Sequence, residues 1–142
     1  MRETIVDNLT KRIGFYDDLI EQVGDSTLAA ELAVPHSRSL GLHLWCIVGT
    51  RESYVKAIAA GEMSGWSSSV EKLEQDELRD KLARSGRDLL DAINAVSDWT
   101  PERDKLLAEV AEHEVMHEGQ IIRLMCGLEK PLPSSCPWAV CG

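Results

Sequence analysis

Apolar residues recur at every third or fourth position along most of this chain, a spacing that places them on one side of an α-helix. The first such stretch covers residues 3–23, and Gly24 is expected to end it as a left-handed cap. A short helical turn is predicted within residues 25–34, because Pro35 interrupts any longer helix. The alternating runs typical of half-buried strands do not occur, so we expect no sheet.

Three more long helices are predicted in the rest of the chain. Their predicted bounds are Ser37 or Ser39 to Ala60, Val70 or Asp76 to Val96, and Pro101 to Leu128. Between the second and third of the four long helices, the Gly- and Ser-rich residues 61–69 are expected to form a loop, with Trp66 folding back onto the helices. After the last helix, three prolines predict an irregular tail with Trp138 as its large apolar anchor.

Four helices of about 20 residues, joined by short to medium connections, are most simply arranged as an antiparallel bundle. The sequence therefore predicts an all-α fold: one four-helix bundle domain over residues 1–142, with a long first connection and an irregular C-terminal tail. The length suits one domain, and 44% hydrophobic with 27% charged residues is an ordinary globular balance.

The charge and hydropathy of the chain argue against two classes of partner. A formal net charge of -9 opposes binding to phosphate backbones, so nucleic acid is not expected as a partner. No apolar run approaches the roughly 20 residues needed to span a bilayer, and the first residues lack the apolar segment of a signal peptide. We expect a cytoplasmic protein that does not enter membranes.

Three of the four histidines fall on predicted inward faces. On the last helix the apolar side runs through Leu106, Val110, His113, His117, Ile121, Leu124 and Leu128. His113 and His117 are one turn apart on that face, so both rings can reach one ion at about 2.0 to 2.1 Å. His43 lies on or beside the apolar face of the second helix and completes a predicted three-histidine site with an open coordination position. Zinc, nickel or another borderline divalent ion suits such ligands.

Other residues near these histidines receive weaker assignments. Glu114, Gln120 and Arg51 are candidates for positioning the site or contacting substrate, and Glu114 is turned by about 100 degrees from His113 on the helix. Cys46 is expected to be a small buried hydrophobe. No chemistry is assigned to Cys136 or Cys141, and His36 is expected to lie at the surface.

The same segment also matches the short zinc-protease pattern H-E-x-x-H, in which Glu114 would activate a metal-bound water. The longer metzincin pattern requires glycine and histidine where this chain has Gln120 and Arg123. The absence of a predicted sheet also removes the edge strand that such proteases use to hold an extended substrate. The pattern of residues therefore disfavours proteolysis.

Two segments resemble the DinB-like (YfiT-like) superfamily of four-helix proteins. The segment GLHLWCIVGTRESYVKAI is similar to that family's metal-ligand helix, and HEVMHEGQIIRLM is similar to its H-x-x-x-H-x-G-Q signature. The Pro-rich tail with a Trp adds to the likeness, which covers nearly the whole chain. The resemblance implies a DinB fold with His43, His113 and His117 as ligands of nickel or zinc, and commonly a homodimer.

Characterised members of that family include thiol-dependent S-transferases, a mycothiol-dependent isomerase and amide hydrolases. By this resemblance we expect a metal-dependent enzyme acting on a small molecule, of the thiol S-transferase or hydrolase type, with a low-molecular-weight thiol as a candidate cosubstrate. The chain shows no separate isomerase domain, which argues against the isomerase activity. The alternative is a non-catalytic bundle, with or without metal, whose role is dimerisation, sensing or a stress response.

Overall fold

The structure is a computed structural model that describes residues 1–138, and over this part of the chain it contains helices and no strand. The elements are α1 (Arg2–Gln22), α2 (Asp25–Ala29), α3 (Leu40–Ala60), α4 (Gln75–Asn94) and α5 (Pro101–Gly127). The prediction of an all-helical chain is thus confirmed, with bounds close to those expected. Cys141 lies outside the described residues.

Local capping chemistry explains where the helices begin and end. The Ser39 hydroxyl accepts a hydrogen bond from the Leu42 amide at 3.3 Å and starts α3. Gly61 ends that helix in the left-handed conformation, with φ of 85°. Thr100 caps α5 in the same way as Ser39 caps α3, and Pro101 occupies the first helical turn. The expected left-handed cap at Gly24 is wrong, because this residue has φ of -95° and precedes α2.

The long helices bury their apolar sides against one another. Helix α1 contacts α4 and α5, and α3 contacts the same two helices, while the short α2 packs on α3. Two apolar clusters result. On α5, one cluster contains Leu106, Leu107 and Val110, and the other contains Ile121, Leu124 and Met125. The buried polar residues Glu114, His117 and Glu118 come between them, so the helix carries a polar layer between two apolar ones.

The loop after α3 folds back onto that helix, as predicted from the sequence. The Trp66 indole N–H donates to the Thr50 hydroxyl at 3.0 Å, and its ring lies 4.9 Å from that of Trp45. Gly49 makes this approach feasible, since a Cβ there would lie 2.5 Å from the Trp66 ring. The loop therefore packs against the part of α3 that carries the candidate site.

The C-terminal tail contacts α5 through a hydrogen bond. The Trp138 indole N–H donates to Glu118 at 3.1 Å, and the Arg12 guanidinium lies 5.7 Å from the Trp138 ring centroid. Trp138, the predicted apolar anchor of the tail, is 49% exposed and holds the tail through these polar contacts. Within residues 1–138, no helix is both long enough and apolar enough to cross a membrane.

Candidate metal centre

The three predicted histidines form one continuous group of rings between α3 and α5. His43 is 5% exposed and His117 2% exposed, whereas His113 is half-buried. The ring centroids of His43 and His117 are 5.2 Å apart, and those of His113 and His117 are 4.5 Å apart. His117 is therefore the centre of the group, and each of the other two rings contacts it.

The two neighbours of His117 contact opposite nitrogens of its ring. Its Nε2 lies 3.2 Å from His113 Nε2, and its Nδ1 lies 3.0 Å from His43 Nδ1. One ring nitrogen donates a lone pair to one ion. An ion between His113 and His117 is therefore on the side of His117 that faces away from His43, and the assignment of His43 as a ligand stays a prediction.

A cysteine joins the His113 side of the group. Cys46 Sγ lies 3.5 Å from His113 Nε2, and the ligand atoms of Cys46, His113 and His117 all lie within 4.8 Å of one another. The apolar pattern of α3 predicts Cys46 as a small buried hydrophobe, whereas the structure leaves it half-buried beside His113. A usable signal was present, since Cys46 follows His43 by three residues and therefore shares its side of α3.

Two of the three separations between these donor atoms fit a tetrahedral metal ion. With metal–nitrogen bonds of about 2.05 Å and a metal–sulfur bond of about 2.3 Å, tetrahedral angles require about 3.3 Å between two nitrogens and about 3.6 Å between nitrogen and sulfur. The structure gives 3.2 Å between the Nε2 atoms of His113 and His117, and 3.5 Å from Cys46 Sγ to His113 Nε2. These three side chains thus form a set that can hold a divalent metal.

The protonation states of the rings also suit metal binding. Burial, together with the nearby His113, His43 and Arg38, lowers the pKa of His117 to about 3. Burial likewise lowers the pKa of His43 and of His113. All three rings are therefore neutral at pH 7, the form in which an imidazole can donate a lone pair. Burial raises the pKa of the Cys46 thiol, so a metal must displace its proton to bind the sulfur.

Thr50 links this group to the loop after α3. Its hydroxyl oxygen lies 3.2 Å from His113 Nε2 and accepts the Trp66 N–H described above. A hydrogen bond from Thr50 to Cys46 lowers the pKa of the thiol, though burial outweighs it. Trp66 therefore helps to fix the hydroxyl beside the donor atoms.

A fully buried ion pair lies directly beside His113. Arg51 donates from Nε to Glu114 Oε1 at 2.6 Å and from Nη2 to Oε2 at 3.0 Å, and its Nη1 donates to the Leu82 carbonyl at 3.1 Å. The Tyr16 hydroxyl donates to the backbone carbonyl of Glu114 at 2.6 Å. These bonds tie α5 to α3, α4 and α1 at the position of the histidines. Both carboxylate oxygens of Glu114 thus accept hydrogen bonds from Arg51, and this pair fixes the turn of α5 that carries the histidines.

A second buried carboxylate lies next to His117. Glu118 is fully buried, and its Oε2 accepts a hydrogen bond from Arg12 at 3.2 Å, while its Oε1 has no hydrogen-bond partner among residues 1–138. His113 Nδ1 is likewise buried and unpartnered within that range. Glu118 directly follows His117, and since a glutamate on a helix is usually exposed, the spacing of the sequence gives no sign of its burial.

Gln120 is exposed and lines a cleft. The cleft has a volume of about 380 Å³, and His43 forms part of its wall. Arg38 and Arg123 also line it. Gln120 thus borders the cleft, whereas Arg51 and Glu114 form the buried ion pair beside His113.

No protein-family model and no curated protein matches the chain in sequence. The candidate centre is thus supported by the geometry of its side chains alone, and the likeness to DinB-like proteins stays a prediction.

Proposed function

We propose that this protein is a metal-binding four-helix bundle of the DinB-like type, with a divalent ion held by Cys46, His113 and His117. The observation that carries the proposal is that the ligand atoms of these three residues lie within 4.8 Å of one another, with two of their separations matching a tetrahedral site. A mixed sulfur and nitrogen ligand set suits zinc, and nickel is the second candidate. Three protein ligands leave a fourth position for water or substrate, as in catalytic zinc sites.

His43 has a role in this proposal in either of two ways. If His117 binds the ion through Nε2, its Nδ1 carries the proton and donates it to His43 Nδ1, which is the usual arrangement behind a metal-bound histidine. Our sequence-based prediction makes His43 a ligand instead, which requires its ring to turn toward the other side of His117. The two roles predict different effects of His43→Ala on the d–d spectrum of the cobalt-substituted protein.

We further propose a metal-dependent reaction on a small molecule, of the thiol S-transferase or hydrolase type that the DinB-like resemblance implies. A metal in this site would lower the pKa of a bound water or thiol and so supply a nucleophile near pH 7. The chain itself positions that nucleophile: the Arg51–Glu114 pair fixes the histidine helix, and Thr50 with Trp66 covers the sulfur side.

The alternative is a metal-binding bundle whose role is assembly as a homodimer. An exposed apolar surface favours this reading, since Val115 and Met116 are 43% and 48% exposed beside Ile5 on α1. Both proposals require the metal, and they differ in whether turnover is found.

Metal content is the first test. Protein purified without a histidine tag should contain about one equivalent of zinc or nickel per chain, and His117→Ala and Cys46→Ala should each lose most of it. His36→Asn is the matched control, because it removes an imidazole that lies outside the donor group and should keep the metal. Unchanged metal content in His117→Ala would refute the proposed centre.

Cobalt substitution then separates the ligands. Thiolate coordination gives a sulfur-to-cobalt charge-transfer band, which we expect in the wild type and not in Cys46→Ser. His43→Ala should keep that band if His43 only accepts a hydrogen bond, and should change the d–d spectrum if it is a ligand. Turnover of a model electrophile with glutathione, bacillithiol or mycothiol, or of an amide panel, would support the enzyme. A protein that contains its full equivalent of metal but shows no turnover would favour the alternative role in homodimer assembly.

A further inference from the structure

The cleft beside His43 is built from two separate parts of the chain. One wall comes from the connection between α2 and α3, and the other from the second half of α5. Its lining residues include Leu32, His36, Arg38, His43, Gln120 and Arg123. A volume of about 380 Å³ lies within the range of about 300 to 1,000 Å³ that is typical of small-molecule sites. The cleft is thus large enough for a metabolite-sized ligand.

The charges around the cleft are all of one sign. Arg38 and Arg123 are exposed and make no hydrogen bond or ion pair with any residue between 1 and 138, and none of the described lining residues is acidic. Elsewhere in this acidic protein Arg2, Arg79 and Arg84 each pair with a carboxylate. Two unpaired guanidinium groups at one concave surface provide donors for a carboxylate or phosphate group.

The start of α3 adds to the positive electrostatic potential at the cleft. This 21-residue helix begins at Leu40, between the cleft residues Arg38 and His43, so its positive dipole end lies at the cleft wall. His43 connects the cleft to the candidate centre, because its Nδ1 lies 3.0 Å from His117 Nδ1. Arg38 is also near enough to lower the pKa of His117. A ligand in the cleft is therefore adjacent to the donor group.

We propose that this cleft binds the anionic end of a small-molecule substrate, with Arg38 and Arg123 pairing with a carboxylate or phosphate group. Gln120 lies beside them as a neutral donor. This inference rests on the proposed function, since it assigns the substrate of the same centre to the class of anionic metabolites. A ligand held by its charged end would direct its other end past His43 toward the metal.

Binding of simple anions to the whole protein tests this proposal without any turnover. Isothermal titration calorimetry would compare glutarate, inorganic phosphate and the neutral analogue glutaramide, using protein as purified and protein treated with a chelator. We expect glutarate or phosphate to bind both forms, with the tighter one identifying the anionic group, and glutaramide to bind neither. Arg38→Gln and Arg123→Gln should each weaken binding on the order of tenfold.

Arg87→Gln is the matched control, because it removes one exposed positive charge on α4, away from the cleft. Equal weakening by Arg87→Gln, unchanged binding in both cleft variants, or equal binding of glutaramide would overturn the proposal. Metal content is measured on the same samples. Absence of anion binding by the wild-type protein at full metal content contradicts the cleft alone, whereas anion binding by a protein that never takes up metal contradicts the proposed function alone.

Discussion

Replacing Arg51 by methionine should destabilise the protein strongly, because it leaves a carboxylate buried without its partner. Arg51 and Glu114 are 0% and 1% exposed, and two of the three hydrogen bonds from Arg51 go to the carboxylate. Charge-assisted hydrogen bonds contribute about 1.5 to 3 kcal/mol each. Removing one partner of a buried ion pair lowers the free energy of unfolding by about 3 to 5 kcal/mol in total.

That loss is large against the whole stability of a domain, which is about 5 to 15 kcal/mol. With a urea m-value of about 2 kcal/mol per molar, a loss of about 4 kcal/mol moves the unfolding midpoint of Arg51→Met down by about 2 M. Circular dichroism at increasing urea concentration measures the shift. Arg84→Met is the matched control, because its pair with Asp80 is more than half exposed and should contribute less than about 1 kcal/mol.

The double variant Arg51→Met with Glu114→Leu decides whether the buried charge is the cause. Removing both charged groups leaves no buried charge without a partner, so the double variant should be more stable than Arg51→Met alone, although both lack the bond to the Leu82 carbonyl. A loss below about 1 kcal/mol in Arg51→Met, or a double variant that is less stable than the single one, would refute this reasoning.

Two further predictions concern stability. Gly86→Ala should destabilise the protein by about 1 to 3 kcal/mol, because a Cβ there would lie 2.7 Å from Ile13 Cγ2. Gly14→Ala has open space and should stabilise the protein by up to about 1 kcal/mol through helix propensity. Shifts of the urea midpoint that are equal in size and direction for the two variants would contradict this. In acid, the unfolded chain protonates His117 below its ordinary pKa of 6.5 while the folded chain does so only near 3. The metal-free protein should therefore lose stability as the pH falls through that interval, by at most about 1.4 kcal/mol per pH unit from this ring, and a His117→Gln variant with the same pH dependence would exclude it as the source.

Those parts of the fold that depend on local chemistry were predictable from the sequence. Ser39 and Thr100 cap helices through bonds to residues three positions away, and Gly61 ends a helix through its own backbone freedom. The helical spacing of His113 and His117 likewise guarantees that the two rings are neighbours. In each case the information lies within one or two turns of the same helix.

The remaining features depend on how two helices are rotated against each other, which periodicity does not specify. Cys46 and His43 share a side of α3, but only the packing of α3 on α5 decides that Cys46 meets His113 while His43 meets the other nitrogen of His117. The same packing buries Arg51 completely, although an arginine in a helix is usually at the surface. The ligand set therefore could not be read from spacing alone.

The position of the Arg51–Glu114 pair suggests that it contributes to the metal site rather than to stability. A buried ion pair is often no more stabilising than apolar residues of similar volume, so the double variant described above should stay folded. Glu114 precedes His117 by three residues and directly follows His113, so losing its bonds to Arg51 frees this turn of α5 to shift. We therefore expect the folded double variant to bind zinc about 10- to 100-fold more weakly, as when the partners of metal ligands are removed. Zinc affinity equal to that of the wild type, measured by competition with a chelating dye, would show that the pair does not position the histidines.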